Sequence, residues 1–125
     1  MKKSKTAIIG WVLSAPVAGL LTFSAIVKLF DIEGKEESFA EMGWTVERMV
    51  PIGIVELAVV ALFLIPRTAF VGAILLAAYL GGAVATHARI GDPTFVVPVV
   101  LGVVGWIALG LRQPGVFKLA LGKGK

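Results

Sequence analysis

The chain has no cysteine, a single histidine (His87), and charged side chains on only 16% of its 125 residues. Each shortage removes a class of chemistry. Without thiols the protein cannot pass electrons from a disulfide to a quinone through its own sulfur. One histidine cannot supply both axial ligands of a bis-histidine haem, and one histidine with one glutamate falls short of a zinc site. No metal centre is expected, and no covalent cofactor. Redox work would have to rest on a bound organic cofactor or on a metal held by a partner. Polar helix faces are missing too, and a soluble domain of this length would need them. Hydrophobic residues make up 58% of the chain, and mean hydropathy is +0.93. The solvent these numbers imply is lipid.

Four apolar runs are present, Ala7–Val27, Pro51–Ile65, Thr68–Ala85 and Phe95–Leu111. Each reaches bilayer length, about 20 residues, once its flanks are added. The expectation is an all-α membrane protein: one domain over 1–125, a bundle of four transmembrane helices at approximately 7–30, 48–65, 68–88 and 93–111. The first run follows Lys2, Lys3 and Lys5, as a secretory signal would. Its apolar stretch is longer than the 7–15 residues of a signal core, so it reads as a retained helix; Ser14, Ala15 and Ala18 leave cleavage as the lesser alternative.

Basic residues set the orientation. With the N-terminus inside, Lys2, Lys3, Lys5, Arg67, Arg112, Lys118, Lys123 and Lys125 fall on the inner side with no acidic residue among them. The other side holds four basic and seven acidic residues, Asp31, Glu33, Glu36, Glu37, Glu41, Glu47 and Asp92 among them. This bias places both termini in the cytoplasm. It also accounts for the basic pI without nucleic acid as a partner.

The connections fit short-looped helices. Pro66 ends the second helix and Thr68 can cap the third. Gly91 stops the third, Asp92 caps the fourth, and Pro93 takes its first position. In the long outer loop Asp31–Met49, Ser38 and Glu41 have capping-box spacing, and Phe39, Met42 and Val46 share a helical face. A short interfacial helix is expected there, with Trp44 at headgroup level. Gly10/Ser14, Ala15/Gly19 and Gly81/Ala85 are small-xxx-small pairs that would let helices approach closely. Pro51 and Pro98 would kink the second and fourth helices near their outer ends.

Three ionisable residues interrupt the apolar runs at similar depth: Lys28, Glu56 and His87. A charge at a helix centre costs roughly 2.5–3.5 kcal/mol even on insertion scales, so mutual pairing around an outer-half pocket is expected. Lys28 lies about a turn from the helix end and could instead snorkel to the headgroups, although Ser24, one turn earlier, favours an inward polar stripe. His87 could simply sit at the interface near Thr86 and Arg89. Glu56 lies ~7 Å below Pro51 by helical rise and is too short to snorkel. It is the strongest functional candidate, with an ion pair as its structural alternative.

The strings Ser24-Ala-Ile-Val-Lys28-Leu, Glu56 followed by Leu64-Ile-Pro-Arg67, Gly81-Gly-Ala-Val-Ala-Thr-His87-Ala-Arg89-Ile-Gly-Asp92, and Leu111-Arg112-Gln-Pro resemble the DoxX-like membrane proteins. The likeness runs over nearly the whole chain, and the third-helix string is its most specific part. It implies a four-helix bundle in the cytoplasmic (inner) membrane of a prokaryote. Founding members of that family are associated with quinone-linked oxidation of sulfur compounds, and others with oxidative-stress complexes. No catalytic residue set carries over. Two function classes follow. In one, Lys28, Glu56, His87 and Arg89 bind a quinone or another lipid-like molecule, in a homo-oligomer or as a subunit beside an oxidoreductase partner, with membrane lipid around them. In the other, the chain is a proton-coupled small-molecule transporter acting as a dimer. A ligand-free assembly or scaffold protein is a weaker third.

Overall fold

Ser4 begins the first helix. Its hydroxyl accepts the Ala7 amide at 3.1 Å, satisfying one of the donors that a helix start leaves unpaired. A computed structural model describes residues 4–123, and these residues contain helices and no strand. The order is α1 (Lys5–Leu29), α2 (Lys35–Glu41), α3 (Val46–Leu64), α4 (Ala69–Ala88), a 3₁₀ turn (Pro93–Phe95), α5 (Val96–Arg112) and α6 (Gly115–Ala120). Lys2, Lys3 and Lys125, which entered the charge count, lie outside the described residues.

The four long helices form a closed ring in which α1 and α4 each pack on both α3 and α5. They run alternately up and down. Gly10 near the start of α1 abuts Ala108 and Arg112 at the end of α5, and Gly72 near the start of α4 abuts Phe63 at the end of α3. One end of the bundle therefore holds the start of α1, the α3–α4 turn and α6. The other holds α2 and the α4–α5 turn.

Its interior is filled by Val17, Leu21, Val59, Phe63, Leu76, Leu109 and small residues such as Ala73 and Ala108. The exterior is just as apolar: Val12, Phe23, Ile54, Val71 and Val103 are all more than half exposed. A surface of that character is stable against lipid and not against water. Three segments, Lys5–Leu29, Ala69–Ala88 and Pro93–Arg112, are long and apolar enough to cross a membrane. The fourth long helix, α3, has 19 residues and carries Glu47, Arg48 and Glu56.

Several local expectations are corrected. The loop helix starts at Lys35, behind Gly34 in the left-handed region at φ 85°, so Ser38 lies within the helix and caps nothing. Thr68 does stand at the N-cap position of α4, but its hydroxyl makes no capping bond; it turns back and donates to Leu62 O at 2.9 Å, satisfying a carbonyl at the end of α3. Only the first small-xxx-small pair is used. Gly10 and Ser14 are buried, whereas Gly19 and Gly81 have no neighbouring described atom within 4 Å of where a Cβ would stand. Gly91 does end α4, at φ 73°, with the Asp92 amide bonded back to His87 O. The terminal helix α6 was not expected; it folds back so that Phe117 lies against Gly110.

Candidate functional site

Lys28 turns into the bundle. Its Nζ donates to Glu56 Oε1 at 3.0 Å and to Ser24 Oγ at 2.5 Å, with Ser24 O at 3.5 Å. Both partners of the pair are buried, Lys28 at 7% exposure and Glu56 at 1%. The geometry follows from spacing: Ser24 and Lys28 are one turn apart on α1, so the hydroxyl fixes the ammonium that α3 must meet. Gly53, one turn before Glu56, makes the approach possible, since a Cβ there would stand 3.0 Å from both Lys28 and Leu29 side-chain atoms. Glu56 Oε2 is buried without a hydrogen-bond partner among the described residues.

The pair forms part of the wall of a cavity of about 680 Å³ at the α2 end of the bundle. Ser24, Tyr79, His87, Thr86 and Thr94 supply its other polar groups, and the rest of the lining is mostly apolar. On the loop side Phe39, Met42 and Trp44 close over it. Trp44, expected as a headgroup anchor, lines this cavity. Leu20 and Phe23 of α1 and Val97 of α5 also line the cavity and are 52%, 66% and 51% exposed. The cavity therefore opens sideways, toward the face that lipid would cover.

His87 lines this cavity but is not a third member of the ion pair. Its Nδ1 lies 3.0 Å from Asp92 Oδ2 and 3.4 Å from Thr94 Oγ1. Asp92 is the expected cap, accepting the Thr94 amide at 2.9 Å and the Thr94 hydroxyl at 2.7 Å. Those two hydrogen bonds, and then His87, hold its carboxyl down to about 2. Ionised Asp92 favours the imidazole tautomer with its proton on Nδ1, leaving Nε2 as an acceptor. Arg89 is not in the cavity wall. Its guanidinium donates to Met42 O and stands against Gly43, tying the end of α4 to the segment that closes the cavity.

Sequence reasoning missed Tyr79, whose hydroxyl faces Glu56 and Ser24. Its signal was present: Tyr79, Ala83 and His87 are one turn apart on the same face of α4, and all three line the cavity. A second polar cluster occupies the opposite end. Arg112 donates to Phe63 O at 2.8 Å and Ser14 Oγ at 3.2 Å, and its guanidinium stacks 3.9 Å from the Trp11 ring centre. Gln113 donates to Pro66 O at 2.8 Å. These bonds tie α5 to the carboxyl end of α3, where cations are favoured.

A model of the DoxX-like family matches residues 12–108. The chain belongs to that family. The match takes in Lys28, Glu56, His87 and Arg89, and stops short of the Arg112–Gln113 clasp. No curated protein and no solved structure matches the chain.

Proposed function

We propose that this DoxX-like protein binds a quinone or another lipid-like small molecule in the cavity at its α2 end, as a subunit of an oxidoreductase complex. All four long helices cross the cytoplasmic membrane in this reading, with both termini inside and the cavity in the outer leaflet. The observation that carries it is the cavity itself. It is large, mainly apolar and open toward the lipid-facing side, and one buried ion pair, Lys28–Glu56, forms part of its wall. Ligand cavities have this character, an apolar lining with a few placed polar groups. Quinone chemistry moves protons with electrons, and the floor carboxylate and the His87–Asp92 pair at the mouth are the groups that could receive them.

The test is extraction of the protein with its native lipid, followed by mass spectrometry of what co-purifies. A lipophilic, redox-active small molecule in stoichiometric amount is expected. Bulk phospholipid alone would overturn the reading. Uptake driven by a pH gradient in liposomes would replace it with the transporter.

A further inference from the structure

Most polar side chains around the cavity are spent on one another. At its floor Lys28 donates to Ser24 and Glu56, the Tyr79 hydroxyl faces the same two residues, and Glu56 is only 1% exposed. Thr86 donates its hydroxyl to Gly82 O at 2.9 Å, and Thr94 donates its own to Asp92. His87 differs. It lines the cavity with a side chain 27% exposed, and its Nδ1 edge faces two groups that can only accept. Asp92 Oδ2 is a carboxylate oxygen, and the Thr94 hydroxyl has already committed its proton to Asp92 Oδ1. Nδ1 therefore carries a proton. In the neutral ring Nε2 is then a bare lone pair, and no described residue donates to it.

We infer that a molecule bound in the cavity donates a hydroxyl to His87 Nε2, with Asp92 as the positioning residue that fixes the ring's tautomer. The ligand class is an amphiphile with a phenolic or quinol head. A weakly acidic O–H suits an imidazole lone pair, whereas a carbonyl would bring a second acceptor to it. The aromatic head follows from Phe23, Phe39 and Trp44 in the same lining, since rings pack edge or face against another ring. The tail leaves between Leu20, Phe23 and Val97, where the cavity opens sideways. Resting on the ligand-binding reading above, this narrows it: of a quinone couple, the reduced member is the one that fits. It is held through His87, and the Lys28–Glu56 pair serves as wall.

The test compares para-nonylphenol with its methyl ether, which differ only in the O–H. Both are added to the purified full chain in lipid nanodiscs at about pH 8, where free imidazole is neutral. Protein-free discs correct for partition into lipid. Trp44 in the lining reports binding by fluorescence, and loss of the signal in Trp44→Phe assigns it. The phenol should bind about fivefold more tightly, the effect of one hydrogen bond. Equal affinities, or a tighter ether, overturn the inference while leaving ligand binding intact. If neither compound binds, the ligand-binding reading fails as well. Dodecanol and its methyl ether form a second pair, in which a smaller advantage supports the aryl head and an equal one removes it. His87→Leu should erase the phenol preference and still bind the ether; a variant that keeps the preference also overturns the inference. Asp92→Asn separates control of the tautomer from a structural role. Asp92 Oδ1 accepts both the Thr94 amide and the Thr94 hydroxyl, so the asparagine oxygen stays there and its NH₂ meets Nδ1. The ring proton then moves to Nε2, the acceptor becomes a donor, and the preference should pass to the ether. An Asp92→Asn protein that keeps the phenol preference, or weakens both compounds alike, overturns the role given to Asp92.

Discussion

Lys28 and Glu56 each stand alone in an apolar run, and a charge without a partner there is too unfavourable to persist. Their pairing was therefore legible from sequence. Among the described residues the carboxylate is paired with one lysine and no other cation, so breaking the pair from one side leaves a buried charge. Glu56→Gln should lower stability by about 3–5 kcal/mol, and the double change Lys28→Met with Glu56→Leu by clearly less than the two single changes together. Thermal unfolding in detergent reads this cycle, and strict additivity would show that the pair is not coupled. His87 was placed in the right cavity but given the wrong partner. Asp92 could be read as a helix cap, and nothing in its spacing announced that the second carboxylate oxygen would reach back five residues. Because Asp92 is held at about 2, below its ordinary 3.8, its contribution is fully present above about pH 4 and is lost as pH falls toward 2. An Asp92→Ala protein should thus melt below the wild type at pH 5, and the gap should close between pH 4 and pH 2. A gap that stays constant over that range would mean that ionised Asp92 does not hold the turn.

Among the helices, the apolar runs marked the four long elements to within a few residues, because lipid-facing and core-facing positions are both apolar. That same uniformity hid which faces meet. Three small-residue pairs looked alike in sequence, yet only Gly10/Ser14 lies at a crossing, and the tightest approach of a glycine to another helix's backbone, Gly72 against Phe63, belonged to none of them. A Cβ on Gly72 would stand 2.4 Å from Phe63 N and 2.6 Å from Leu62 C, backbone atoms that cannot step aside. Gly72→Ala should push α4 off α3 and destabilise the protein by about 1–3 kcal/mol. Gly81→Ala has open space and should be neutral, or stabilising by up to about 1 kcal/mol through helix propensity. Melting temperatures of the two variants in one detergent decide the matter. Equal losses would mean that α3 and α4 are not packed through Gly72. The loop helix was expected, but its start was missed because a left-handed glycine, Gly34, sets it in place of the Ser38 capping box.

At the scale of the whole molecule, the fold separates charge between its two ends. Lys5, Arg67, Lys118 and Lys123 gather where α1 starts and α6 ends, while Asp31, Glu33, Glu36, Glu37, Glu41 and Glu47 surround α2. By the positive-inside rule we expect the first end to face the cytoplasm. Three segments meet the length and apolarity of a span, and α3 carries three charges, so the number of crossings turns on α3. Burial of Glu56 against Lys28 would remove the worst of those charges from lipid, and Glu47 and Arg48 lie in the first turn of α3, where a crossing helix would meet the headgroups. We therefore expect α3 to cross. Parity tests this directly: four crossings put Lys5 and Lys118 on one side, and three put them on opposite sides. The chain contains no cysteine, so Lys5→Cys, Glu37→Cys and Lys118→Cys each give a single reactive thiol. With a membrane-impermeant maleimide on intact cells, Glu37→Cys should label at once. Lys5→Cys and Lys118→Cys should label only after permeabilisation. External labelling of Lys118→Cys with Lys5→Cys protected would leave α3 on the outer surface, and it would open the Lys28–Glu56 cavity to water, where a lipid-like ligand has no reason to bind.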